Sequence, residues 1–491
     1  MKLALFFIFL LLIQPNQLYI SPKILFDDRT NNYIIEYEIP TKNAGLGGLT
    51  VDENNNVWFV EINKSKIGVL FNNFTIKEYQ FKINRTAKSG IEYIAISQIK
   101  YDKLRNSLWF TWSPSDALIK FNLNSLNFEI YKIDEKDSGV FDVFIDGKGN
   151  IWATLLFSNK IIKLEPENNK IEKFLIPDPL GGPAILTEDK YGNIWVTLAY
   201  GRKLAKLNVE KLEANTSKGI DLFENFDFKN VFYSPVGIFY DNKRNLLWIA
   251  DHGSSSIYSF NPFNLTWKQY LVYQSGDLYS LINYVKMDSK GRIWFASHIG
   301  NTVGFLNPEK GYVIEFKIPT FNSTTLWLEI DKNDNVWFTE FLGNKIGLIK
   351  SFGEKYEILS NINKININSG QTGEFEIEIE ILIEKEINAT LNYSSIYLTL
   401  KNKIEIIPEK GNILLKNGTK IKVKIKYYDL PQGNYVFLVV FKSPKMIISI
   451  NIYLLVNPKG FEWFSIILAI VIPLMITIFI FIFLRKFFYK K

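Results

Sequence analysis

Asn335-Val-Trp-Phe-Thr-Glu-Phe-Leu-Gly-Asn-Lys-Ile-Gly347 decides the fold, because Asn56-Val-Trp-Phe-Val-Glu-Ile-Asn-Lys-Ser-Lys-Ile-Gly68 repeats it 279 residues earlier. Working outward from these two copies, Trp58, Trp109, Trp152, Trp195, Trp248, Trp294 and Trp337 recur every 43 to 53 residues. An aliphatic residue precedes each Trp, and another follows nine residues later (Ile67, Leu118, Ile161, Leu204, Ile257, Val303 and Ile346). An acidic turn precedes most of them, as in Asp146-Gly-Lys-Gly-Asn150 and Asp331-Lys-Asn-Asp-Asn335. Such turns join short alternating runs into hairpins. A further run closes several units, for example Ile171-Glu-Lys-Phe-Leu-Ile-Pro177 and Val313-Ile-Glu-Phe-Lys-Ile-Pro319. Units of this length with about four strands and no helical period are propeller blades. Seven of them predict a seven-bladed β-propeller over residues 33–351, with each Trp a wedge between blades.

The ends of that segment predict how the ring closes. Tyr33-Ile-Ile-Glu-Tyr-Glu-Ile39 matches the closing run but precedes the first Trp unit. It is expected to supply the outer strand of the seventh blade, which removes an exposed edge. The rival for that slot is Lys355–Leu359.

The two quoted phrases resemble the repeated "D-G-x-[IV]-W-F-T-E … N-x-I-G" phrase of the virginiamycin B lyase (streptogramin lyase) family, over about residues 33–350. The resemblance implies a seven-bladed ring and a metal-assisted β-elimination that opens a cyclic depsipeptide ester. It also implies histidines in a P-H-[GA]-I-T stretch eleven residues before the blade Trp. Those positions here hold Gly47, Phe141, Ala184, Asn283 and Leu326, with Ser97 and Val236 when one inserted residue is allowed. None is His, so the family's base has no counterpart there.

Composition narrows the remaining chemistry. With no Cys and two His, disulfides, thiolate metal sites and Cys nucleophiles are excluded, and imidazole chemistry falls to His252 and His298. Both follow a blade Trp by four residues, in adjacent blades. They are the candidate catalytic pair, and with Asp251 a candidate site for a metal or a base. Strand alternation groups the residues three after Trp: Glu61, Trp112, Asp251, Ser297 and Glu340. Glu61, Trp112, Asp251 and Glu340 are the candidate ligand-binding residues. Glu61, Asn283, Asp251 and Glu340 also suit the Glu, Asn and Asp metal set of gluconolactonase-like propellers. No cofactor is fixed, and a divalent metal such as magnesium or calcium is compatible with these side chains. Net charge is +7 over 491 residues with no dense basic stripe, which argues against a nucleic acid partner.

Beyond residue 352 tryptophan disappears and strict alternation begins. Glu374-Phe-Glu-Ile-Glu-Ile-Glu380 and Lys420-Ile-Lys-Val-Lys-Ile-Lys426 each put four like charges on one strand face. Residues 352–457 therefore read as an immunoglobulin-like β-sandwich stalk whose Glu and Lys rows pair antiparallel. Lys2 and the apolar run Leu3–Ile13 read as a signal peptide over residues 1–20. Trp463–Leu484, uncharged and followed by Arg485, Lys486, Lys490 and Lys491, reads as a transmembrane helix within 462–484, with a cytoplasmic tail over 485–491. N-x-S/T sequons begin at Asn63, Asn73, Asn84, Asn215, Asn264, Asn322, Asn388, Asn392 and Asn417, all in the portion this topology puts outside. The expected protein is all-β, single-pass in the cell membrane. Its outer propeller face would bind a ligand, glycan or envelope protein, the alternative being an extracytoplasmic metal-assisted lyase or hydrolase.

Overall fold

The computed structural model describes residues 33–84, 97–213, 222–227, 231–273, 280–351, 356–383, 385–394, 403–407 and 411–458. The proposed signal peptide, membrane span and tail lie outside these residues. Among the described residues no helix is long and apolar enough to cross a membrane.

Seven antiparallel four-stranded blades are present. Their first strands are Leu46–Val51, Ile99–Asp102, Val140–Ile145, Pro183–Glu188, Pro235–Asp241, Ile282–Met287 and Thr325–Ile330. Each touches the first strands of both neighbouring blades, and the last touches the first, so these seven strands line a closed central channel. Ile35–Glu38 pairs antiparallel with Lys345–Ile349, so the N-terminal run does complete blade seven. The rival segment belongs elsewhere, with Glu357–Ser360 pairing Gly373–Leu382.

The repeated phrase has a physical basis in every blade. The Trp indole N–H donates to the carboxylate of the acidic turn before it, Trp58 to Asp52 at 2.9 Å, Trp109 to Asp102 at 3.1 Å and Trp152 to Asp146 at 2.8 Å. Trp195 and Asp189, Trp248 and Asp241, Trp294 and Asp288, and Trp337 and Asp331 repeat it at 2.8, 3.3, 2.8 and 3.0 Å. The same Asp also accepts backbone N–H groups of its own turn, as Asp146 does from Lys148 and Asn150. One buried carboxylate thus fixes both the hairpin and the wedge, which a buried indole N–H requires. The phrase's glycine is explained as well. Phe59 faces Gly68 across the strands, and a Cβ on Gly68 would lie 2.2 Å from the ring. Phe338 and Gly347 repeat this contact.

The described strands of residues 356–458 fall in two sheets, one separate and one continuous with blade six. One orders Glu357–Ser360, Gly373–Leu382, Thr419–Tyr427 and Ile404–Ile407. In it the ionic rows pair as the sequence predicts, with Glu374 opposite Lys426, Glu376 opposite Lys424, Glu378 opposite Lys422 and Glu380 opposite Lys420. The alternate residues Ile377, Ile379, Val423 and Ile425 are buried. The other sheet is shared with the propeller. Its strand Met446–Asn457 pairs antiparallel with Tyr312–Lys317, the outer strand of blade six, so one nine-stranded sheet runs from the channel into the second region. Asn451, buried there, accepts from Leu271 N at 2.7 Å and donates to the carbonyls of Leu271 and Gly311. It joins blade five, blade six and the second region.

Candidate functional site

Within a blade, the turn after the Trp strand and the connection into the next inner strand lie at the same end of the channel, because successive strands are antiparallel. At that end, in six of the seven blades, the residue four after the Trp donates its backbone N–H to the segment leading into an inner strand. His252 bonds Ser234, His298 bonds Leu281, Ala199 bonds Gly182 and Leu156 bonds Gly139. Ile62, Ser113, Leu156, Ala199 and Phe341 hold this place in the other five blades, so the two histidines interrupt a mostly apolar ring.

Blades five and six bring the imidazoles into direct contact. His252 Nε2 and His298 Nε2 are 2.8 Å apart, with ring centroids at 4.9 Å and the rings 29° from parallel. One Nε2–H must donate to the other nitrogen, so the pair holds neutral imidazoles comfortably and a second proton poorly. Burial lowers the His252 pKa to about 4, and burial together with His252 holds His298 well below the ordinary range. At neutral pH both imidazoles are therefore uncharged.

Asp251 does not join it. Its oxygens accept from Tyr233 N at 2.9 Å, Ser234 N at 2.6 Å and Ser254 Oγ at 2.7 Å, tying a turn in place. Burial pushes its carboxyl up. Two imidazole nitrogens without that carboxylate do not make a metal centre. Among the described residues no group of three or more His, Asp or Glu could hold a metal ion. Asp251, His252 and His298 accordingly do not come together as a group of three that could hold a metal ion.

The four residues expected to bind ligand are fully buried rather than displayed. Glu61, Trp112, Asp251 and Glu340 all have zero exposure. Trp112 packs edge-on to Phe81 at 4.8 Å. Glu61 and Glu340 occupy matching settings in blades one and seven. Thr41 donates N–H and O–H to Glu78 and Lys66 pairs with Glu78 at 2.8 Å. Thr320 does the same to Glu36, which pairs with Lys345 at 2.6 Å. The oxygens of Glu61 and Glu340 are left without hydrogen-bond partners among the described residues, although Thr41 and Thr320 lie close enough to moderate their acidity. Burial, then the neighbouring carboxylate, raises Glu61 to about 7 and Glu340 to about 8. Each of these two carboxylates sits within its own blade, beside the connection that enters it. Asn283 donates to Leu326 O in the next blade at 3.1 Å and is not a free ligand.

Sequence reasoning missed a second polar group, deeper in the channel. Lys100 of blade two reaches Tyr284 Oη of blade six at 3.1 Å and lies 3.9 Å from Glu329 of blade seven. Lys286 also pairs with Glu329. Burial alone would raise the Glu329 carboxyl, but the two lysines hold it down. Asp142 of blade three is buried, pushed up to about 7 by burial, and uses Oδ2 to accept Leu186 N. Its Oδ1 and the indole N–H of Trp327 have no hydrogen-bond partner among the described residues. A signal for this group was present: Lys100, Lys286 and Glu329 each stand two residues before the turn Asp, where other blades have Thr50, Phe144, Thr187 and Phe239.

Comparison with known proteins agrees with this architecture. The model of the virginiamycin B lyase family matches residues 126–372, just over half of the chain. A streptogramin B lyase structure superposes with a TM-score of 0.56 at 22% identity, covering 64% of this chain and 96% of that one. The virginiamycin B lyase of Staphylococcus aureus gives a TM-score of 0.56 at 16% identity, covering 65% and 99%. A catalytically inactive variant of that lyase with quinupristin gives 0.56 at 17% identity, again covering 65% and 99%. At these identities the solved structures establish the fold. No curated protein matches the chain.

Proposed function

The chain belongs to the virginiamycin B lyase family, and from that premise we propose that it is a recognition propeller held outside the cell by Trp463–Leu484. Its ligand is an apolar peptide or cyclic peptide, part of an envelope protein or a free molecule, and it docks on the end of the channel that carries the histidine pair. One observation carries the reading. Around that mouth Leu180, Tyr233, Ile299, Phe321 and Leu342 expose large apolar side chains, Phe321 at 92%. They lie on the strand connections of that end, and Arg202 caps the Tyr233 ring at 5.2 Å. Large exposed apolar side chains at one end supply contact area for an apolar ligand. The related lyase crystallised with quinupristin supports the ligand class.

The test is a fluorescence titration of the full chain in detergent with quinupristin as probe. Saturable binding weakened at least tenfold by Phe321→Ser and Tyr233→Ser is expected. Binding indifferent to both changes overturns the docking face. Protease release of the propeller from intact cells checks the orientation separately.

A second reading, an extracytoplasmic lyase or hydrolase, is favoured by the contact that brings His252 and His298, the chain's two imidazoles, together. It requires ring opening of the probe that disappears in His252→Ala and His298→Ala. Under the leading reading the probe is recovered intact.

A further inference from the structure

Two of the sequons share one unusual setting. Asn73-Phe-Thr75 and Asn264-Leu-Thr266 occupy the same hairpin, between third and fourth strands, in blades one and five. In each, the +2 threonine donates twice to the asparagine side-chain oxygen. Thr75 Oγ1 and N lie 2.7 and 3.1 Å from Asn73 Oδ1. Thr266 Oγ1 and N lie 2.6 and 3.1 Å from Asn264 Oδ1. The middle residues, Phe74 and Leu265, take φ of 65° and 58°, which turns the chain outward. Both asparagines and both threonines are exposed. No described residue accepts a hydrogen bond from either Nδ2, so each amide nitrogen faces solvent at a turn tip with its oxygen held.

The sequons at Asn63, Asn322 and Asn388 differ. Asn63 Nδ2 donates to Asn43 O at 3.2 Å. The hydroxyl-bearing residue of the Asn322 sequon, Thr324, is buried. Asn388 lies within the strand Ile387–Ser394, and Thr390 Oγ1 is bonded to Lys442 O. The two favoured turns also expose Phe74, Phe263 and Leu265, each more than half accessible. A bulky, solubilising sugar would cover such side chains.

We infer that Asn73 and Asn264 are N-glycosylation sites, on the end of the propeller opposite the proposed docking mouth. The inference rests on the reading that the propeller lies outside the cell. In the reaction Asn Nδ2 bonds to the anomeric carbon of a lipid-linked oligosaccharide. The anomeric C–O bond to phosphate breaks, the lipid phosphate leaves with the electron pair, and Nδ2 gives one proton to a base of the transferase. The placement leaves the docking mouth uncovered and puts carbohydrate on the far end.

The experiment is glycopeptide mass spectrometry on the full chain purified from membranes of its native host. Sugar mass is expected at Asn73 and Asn264 and not at Asn63 or Asn322. It should be lost at the affected site in Thr75→Ala and Thr266→Ala and kept in Thr75→Ser and Thr266→Ser. Sugar at other sequons with Asn73 and Asn264 bare overturns the assignment while leaving the outside location intact. Bare asparagines throughout, in a chain that external protease still cleaves on intact cells, overturns it too. A chain shielded from that protease shows that the location reading has failed instead.

Discussion

The propeller and the region after it hold register by opposite means. Each blade uses one buried carboxylate that closes a hairpin and binds an indole, as Asp146 does for Trp152. The later region uses exposed rows, with Lys424 and Glu374 at 2.8 Å, Lys422 and Glu376 at 3.1 Å, and Lys420 and Glu380 at 4.0 Å. Buried bonds are costly to leave unmade, whereas exposed pairs are screened and weak. The blade device therefore carries stability and register together. The ionic rows mainly forbid a one-residue slip, which would turn charge into the core.

The largest break in this contrast should come from Trp152→Ala, which removes a fully buried wedge and strands Asp146. A loss of about 3–5 kcal/mol in denaturant unfolding is expected. A loss under about 1 kcal/mol would remove the Trp–Asp unit from the account.

Next is Asn451→Ala, at the seam where the two regions share a sheet. It leaves Leu271 N without its acceptor in a buried place and removes the side-chain donor to Leu271 O and Gly311 O, although Gly311 O keeps the backbone N–H of residue 451. The expected cost is about 2–3 kcal/mol. Unfolding of the two regions should also separate into two transitions, readable by calorimetry. An unchanged single transition would show that the seam does not couple them.

Glu340→Gln sharpens the comparison in the other direction, since this blade carboxylate works against the fold. Its pKa of about 8 lies above the ordinary value, so the folded chain keeps a proton that the unfolded chain releases. The stability tied to that proton is full below the ordinary carboxylate range and is lost as pH rises from there through about 8. Gln ionises in neither state. The variant should match the parent near pH 4 and exceed it by on the order of 2 kcal/mol near pH 9. Equal stability at both pH values would mean that Glu340 is not protonated in the fold.

The smallest effect is reversal of Lys420, Lys422, Lys424 and Lys426 to Glu. It puts like charges opposite one another along the whole strand pair. The melting temperature should fall at low salt and recover toward the parent in about 1 M salt, where screening is nearly complete. A drop that persists in high salt would mean the rows do more than repel a slipped register.

How much was legible follows from the range of each interaction. The number of blades, the closing strand at Ile35–Glu38 and the pairing of the Glu row with the Lys row were readable, because each is a periodic pattern that local strand geometry converts into a face. The contact of His252 with His298 was half readable. Equal offsets from Trp248 and Trp294 put them at one level, and packing of adjacent blades brought Nε2 to Nε2. Burial of Glu61, Trp112, Asp251 and Glu340 was not readable, since alternation names a strand face and not whether a neighbouring blade covers it. Nor was the reach of Lys100 across the ring to Tyr284, 184 residues away, or the pairing of Met446–Asn457 with blade six. The chain by itself determined what repeats, because repeats arise from short-range turn and strand preferences that every copy satisfies alone. Only the closed ring decided which polar groups meet, which are covered and where the second region attaches, because those outcomes depend on surfaces that exist only after the blades have packed.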